Sequence, residues 1–121
     1  MSKIQNNKPI YDLEDRTFKF AKDCRLFIKT LPITIANKED SKQLIRASGS
    51  IGANYREANE ALSKKDFLMR IKISRKESKE SEYWLSLINE TNNLNDDKAA
   101  RLIQEVIELK KILSAIIEKS K

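Results

Sequence analysis

Histidine is absent from this chain of 121 residues. Its absence removes Ser-His-Asp and Cys-His nucleophilic catalysis, and also the Glu-x-x-His pairs of di-iron bundles. Cys24 is the single cysteine, so no internal disulfide can form, which fits a reducing compartment. With two glycines and two prolines the chain has little material for turns, and long helices with short connections are expected. No apolar run reaches the ~18 residues of a membrane span, and the opening "MSKIQNNKPI" has no signal-peptide core. A soluble, cytoplasmic protein is expected, with no membrane contact. There is no glycine-rich phosphate loop, no histidine-based metal motif and no cofactor signature, so a non-enzyme is expected.

Charge, by contrast, is plentiful. Charged residues make up 35% of the chain, and the net charge is +6. The excess is spread as +3 over residues 1–60, +2 over 61–90 and +1 over 91–121, without a basic tail. Such a balance permits binding to RNA, DNA or another acidic partner but does not demand it.

Periodicity predicts an all-α chain in one domain. Residues 1–11 read as a flexible polar lead-in, and 12–121 as four helices at about 12–31, 39–60, 64–92 and 97–119. Asp12 caps the first helix, with Asp15 three residues on, and Pro32 stops it. Asn37 or Asp40 starts the second, and Ser63 caps the third with Asp66 at its third position. No useful stretch alternates with period two, so no strands are expected. Short loops between four helices imply an antiparallel, up-down-up-down four-helix bundle.

Two helices carry more apolar surface than one bundle core needs. At 100° per residue the apolar positions of the fourth helix sweep roughly 220°, against a stripe a little over 100° in an ordinary bundle helix. The third helix has a seam of Phe67, Ile71, Ser74, Ser78, Ser81 and Leu85. A quarter turn away lies a second face, Met69, Ile73, Trp84 and Leu87. The expectation is a homo-oligomer with Ile73, Trp84 and Leu87 at its interface. Both glycines, Gly49 and Gly52, fall inside the second helix, where each costs roughly 1 kcal/mol relative to alanine. They lie well round from the Ile51 seam. That flank is expected to pack closely on a backbone, from a neighbouring helix or another subunit. "GSIG" also spells the RNA-clamping loop of KH domains, but it lacks flanking strands and basic residues.

Two polar patterns are candidate sites. Arg46, Ser50, Asn54 and Glu57 lie within about 80° of arc on the second helix, and Arg46, Asn54 and Glu57 are expected to form a structural polar network. Lys65, Lys72, Lys76 and Lys79 lie within about 60° on the third helix, nearly opposite its seam, with Tyr83 in line. They are the candidate phosphate contacts. No aromatic cluster points to single-strand stacking. Glu80 and Glu82 differ by about 200° and cannot act as paired carboxylates. Cys24, on the seam of the first helix, reads as a buried small hydrophobe.

The stretch "QLIRASGSIGANYREANEALSKKDF" (43–67), followed by "ESEYWL" (80–85), resembles the 23S rRNA intervening-sequence proteins. The pattern is carried by Arg46, Ser50, Ile51, Asn54, Glu57, Ser63, Asp66, Phe67, Glu80 and Glu82. Ala58 stands where that family usually has glycine. The resemblance implies a four-helix bundle that assembles into a ring, most often a pentamer. Some members are encoded inside inserts of ribosomal RNA genes. A related branch comprises accessory proteins of diversity-generating retroelements, basic pentamers that bind a reverse transcriptase and nucleic acid. Composition, faces and resemblance together point to a ring-like homo-oligomer that binds RNA or DNA through a basic surface. The alternative is a protein-interaction adaptor for a nucleic-acid enzyme such as a reverse transcriptase, without direct nucleic-acid contact.

Overall fold

The computed structural model describes residues 12–121, so the expected lead-in over 1–11 lies outside the described residues. Four helices follow in order: α1 (Leu13–Ile28), α2 (Ile35–Asn59), α3 (Lys64–Thr91) and α4 (Lys98–Lys119). There is no strand among the described residues. Asp12 caps α1 by accepting from the Asp15 amide at 3.2 Å, and Ser63 caps α3 by accepting from the Asp66 amide at 3.0 Å.

Two boundaries differ from expectation. Helix α1 ends at Ile28 rather than near Leu31. The residue before a proline is pushed out of the helical region, and Pro32 therefore acts on Leu31. The chain tightens first: the Thr30 hydroxyl donates to the Phe27 carbonyl at 2.7 Å. Helix α2 begins at Ile35, earlier than expected, because Thr34 is the cap, accepting from the Asn37 amide at 3.0 Å. Asn37 is freed for another role. Its amide donates to the Pro32 carbonyl and to Asn92 Oδ1, both at 2.9 Å, and Asn92 Nδ2 donates back to Asn37 Oδ1 at 2.9 Å. This paired amide ties the α1–α2 connection to the end of α3.

The four helices share one core. Phe20, Cys24 and Phe27 of α1 meet Leu44 and Ile51 of α2, Ile71, Leu85 and Ile88 of α3, and Val106, Leu109, Leu113 and Ile117 of α4. Contact is most extensive between α2 and α3 and much less so between α1 and α4. The α2–α3 seam is lined by fully buried Ala47, Ser74, Ser78 and Ser81, whose small side chains let the two backbones approach. The Ser74 hydroxyl donates across it to the Ile51 carbonyl at 2.8 Å.

The wide apolar arc of α4 is partly covered within the chain. Helix α4 lies between α1 and α3, and Ile103, Ile112 and Ile116 pack as half-buried residues against the core. Two neighbours thus cover an arc that one bundle interface could not. The large apolar side chains left exposed lie elsewhere, among them Phe18, Ile33, Ile35, Leu62, Met69 and Tyr83.

The glycines pack within the chain, against α1. A Cβ on Gly52 would stand 2.8 Å from Thr17 Oγ1 and 3.2 Å from Thr17 Cβ. Thr17 cannot yield easily, since its buried hydroxyl donates to the Leu13 carbonyl at 2.6 Å. A Cβ on Gly49 would meet only Arg25 Nη2, at 3.2 Å, the far end of a flexible side chain. The two positions should therefore respond oppositely to alanine. Gly52→Ala incurs an overpacking cost of about 1–3 kcal/mol against a propensity gain of about 1 kcal/mol, so net destabilisation is expected. Gly49→Ala is expected to be neutral or to stabilise by up to about 1 kcal/mol. Urea unfolding midpoints of the two variants provide the check, and equal gains at both sites would refute the close approach of α1 at Gly52.

Candidate nucleic-acid interface

Helix α3 carries three acids in its central turns, and each is met by a cation from a flanking helix. Arg46 of α2 donates through Nη2 to Glu80 Oε1 at 3.0 Å and through Nη1 to Glu77 Oε1 at 3.4 Å. Lys110 of α4 donates to Glu82 Oε1 at 2.8 Å. Further along the seam, Asn54 Nδ2 donates to the Ser50 carbonyl at 3.0 Å and the Ser50 hydroxyl at 2.9 Å, while Asn54 Oδ1 accepts from Arg70 at 3.1 Å. Arg46 and Asn54 thus both join polar networks, but to residues of α3 rather than to each other. Glu57 does not join. It is exposed and makes no side-chain hydrogen bond among the described residues. The band is also not buried, since the Arg46 side chain is 52% exposed. Periodicity does not single out Glu77, Arg70 or Arg75. Their partners lie 16 to 39 residues away, which leaves no local signal.

The lysines are disposed differently. Lys65, Lys72, Lys76 and Lys79 are all exposed and form no ion pair among the described residues. They line two adjoining surface concavities along α3. One, of about 530 Å³, is walled by Lys72, Arg75, Lys76, Lys79, Glu80, Tyr83 and Trp84. The other runs from Ser63 and Lys65 past Met69 and Ile73 to the same Lys72 and Lys76. Arg75 lies about 70° from the centre of the lysine stripe on a helical wheel, outside its arc, but a long guanidinium side chain reaches the same concavity. The concavity also holds an aromatic pair, which corrects the expectation that no aromatic grouping accompanies the cations. The Tyr83 and Trp84 rings meet edge to face, with centroids 5.0 Å apart at 81°.

The remaining candidate positions fall into place around this face. Ile73, Trp84 and Leu87 are half-buried on the side of α3 next to the lysines, and Trp84 also packs on the core. Cys24 is fully buried, and burial pushes its thiol pKa up to about 12, so it carries no thiolate at neutral pH. Among the described residues no cluster of acids or cysteine is placed to hold a metal ion, and no helix is long and apolar enough to cross a membrane.

These features define an all-α chain of four helices with a basic, aromatic-flanked face on its longest helix. A family model described as 23S rRNA-intervening sequence protein matches residues 11–115, and the chain belongs to that family. It is also similar to a solved structure from Bacteroides thetaiotaomicron VPI-5482, described as a protein with unknown function from the S23 ribosomal protein family. The two are 32% identical over 86% of this chain and 96% of that one, with a TM-score of 0.75. No curated protein matches the chain.

Removing Arg46 tests the α2–α3 band. Arg46→Ala leaves the buried Glu77 carboxylate without its cation, and the half-exposed guanidinium limits the expected loss to about 1 kcal/mol. Adding Glu77→Gln in the same chain should restore most of that loss. A double-mutant cycle of urea unfolding energies measures it, and additive losses would show that the two residues do not interact.

Proposed function

We propose that this protein is a non-enzymatic helical bundle that assembles with copies of itself and binds RNA or DNA through the cation face of α3. The observation that carries this reading is the division of charge on α3. Glu77, Glu80 and Glu82 are tied to Arg46 and Lys110, while Lys65, Lys72, Lys76 and Lys79 stay exposed on one face. With these three central acids paired from the sides, the face is left with four exposed lysines against Asp66, the acid that lines the concavity of Lys65, Lys72 and Lys76, and its balance is positive. Such a surface attracts phosphates without reading base sequence.

The self-association half of the reading rests on α3 as well. Met69 is half exposed, and Ile73, Trp84 and Leu87 form a half-buried apolar strip beside the lysines. Copies meeting along this strip would bring several cation faces together, which strengthens phosphate binding by multivalency. Family membership supports the expectation of a ring, and five copies is the size the resemblance implies. The up-down-up-down order of the helices is supported by the α2–α3 pairings. Residues 46, 51 and 54 meet 80, 74 and 70 in turn, so the two chain directions oppose. The adaptor reading is favoured by a separate observation, the nearly complete exposure of Ile33, Ile35 and Leu62 in and beside the connections. Apolar side chains so placed suit a protein partner.

Two measurements decide between these readings. Light scattering at micromolar concentration should give a mass well above the 14.0 kDa of one chain, and about 70 kDa for a ring of five. A clean particle of single-chain mass would end the oligomer proposal. Anisotropy of labelled nucleic acid at several salt concentrations should show a steep loss of affinity with salt. Changing Lys65, Lys72, Lys76 and Lys79 together to glutamine should lower the log–log slope by about one for each phosphate no longer neutralised, with the fold intact. Equal affinity and equal slope in the quadruple variant would leave the adaptor reading in its place.

A further inference from the structure

The cation face contains one side chain that phosphate binding does not use. Tyr83 is 59% exposed, although it is large and aromatic. It stands one turn beyond Lys79 and two turns beyond Lys76 on the same face, about 6 Å and 10 Å along the helix axis. Its ring is not free to lie anywhere. Trp84 holds it in an edge-to-face contact at 5.0 Å, and Trp84 is itself packed on the core. The result is an exposed aromatic surface braced from one side, at the end of a row of exposed lysines. Glu80, the acid that shares the concavity, is drawn off by Arg46 at 3.0 Å and does not cancel that row.

We propose that this face takes single-stranded RNA or DNA, with an unpaired base stacked on Tyr83 and the neighbouring phosphates on Lys76 and Lys79. The inference rests on the nucleic-acid reading above and names the form of the ligand. Every base has a π-face, so stacking of this kind tolerates any sequence, as the phosphate contacts do. A duplex cannot use it, because its bases are already stacked and paired inside the helix. Single strands therefore gain an interaction at Tyr83 that duplexes of the same length do not.

The test compares the full chain with Tyr83→Ala and Tyr83→Phe, using labelled oligoadenylate and a labelled duplex of the same length over a range of salt. Wild-type protein is expected to prefer the single strand. Tyr83→Ala is expected to weaken single-strand binding about tenfold and leave duplex binding unchanged. The salt slope should not move, because a stacked base releases no counterions. Tyr83→Phe, which keeps the ring, should bind single strands as wild type does. Trp84 is the sole tryptophan, so its fluorescence should change on addition of oligoadenylate in the wild type and less so in Tyr83→Ala. Tyr83→Phe should unfold thermally as wild type does, and Tyr83→Ala only slightly earlier, since Tyr83 is 59% exposed and loses chiefly its edge contact with Trp84. Equal loss on single strand and duplex, or no loss on either, overturns the stacking proposal while leaving the cation face in place. No binding of either nucleic acid by the wild type overturns both.

Discussion

Helices α2 and α3 lie against each other over a line of alanine and serine, and most of the molecule follows from that contact. Ala47, Ser74, Ser78 and Ser81 are fully buried there, and the Ser74 hydroxyl reaches the Ile51 carbonyl of the opposite helix. Serine is a modest helix former and brings a polar group into the core. It is tolerated because a small side chain permits close backbone approach and, at Ser74 and Ser78, because the hydroxyl finds a carbonyl, whereas the buried Ser81 hydroxyl has no partner among the described residues. Ser78 does so within its own helix, donating to the Ser74 carbonyl at 3.0 Å. Once the two helices are this close, the residues bordering the seam must pair across it. Arg46 meets Glu77 and Glu80, and Asn54 meets Arg70.

The same helix solves a matching problem on its other flank. Against α1 it uses glycine together with serine: Gly52 is buried on Thr17, and the fully buried Ser48 accepts from Arg25 at 3.4 Å. Helix α2 is therefore thin on two sides, and α1 and α3 both draw close to it. The intrinsic cost of glycine in a helix is offset by the packing that a Cβ would obstruct. Ala58 is buried near the end of α2, and the helix runs through it to Asn59.

The surface chemistry is a consequence of this packing. Acids on the central flanks of α3 are taken up by Arg46 from one side and Lys110 from the other, and the lysines opposite the seam form no ion pair among the described residues. Because the cations and Tyr83 share one helix of 28 residues, their spacing is set by helical geometry and not by loop conformation. A face of this kind suits a repetitive ligand such as a phosphate backbone better than a single compact molecule.

Much of this was legible in the sequence. The scarcity of glycine and proline, the caps at Asp12 and Ser63, and the three-four spacing of apolar residues led to four helices, with α2 beginning earlier because Thr34 took the cap. The lysine face was equally plain, since all four residues sit on one helix and periodicity alone aligns them. What periodicity cannot state is which neighbour stands on a given side. It showed that Gly52 leaves room, but only the packed helices showed that Thr17 of the same chain fills it. It showed a wide apolar arc on α4 and suggested another subunit, whereas α1 and α3 cover much of that arc between them. It placed Glu57 in line with Arg46 and Asn54, but alignment along a helix does not create a partner, and Glu57 is exposed without a side-chain hydrogen bond among the described residues. A one-dimensional pattern records the direction of each side chain about its own axis. Pairings between residues 30 or more positions apart depend on how the axes are arranged, and tertiary packing alone decides that.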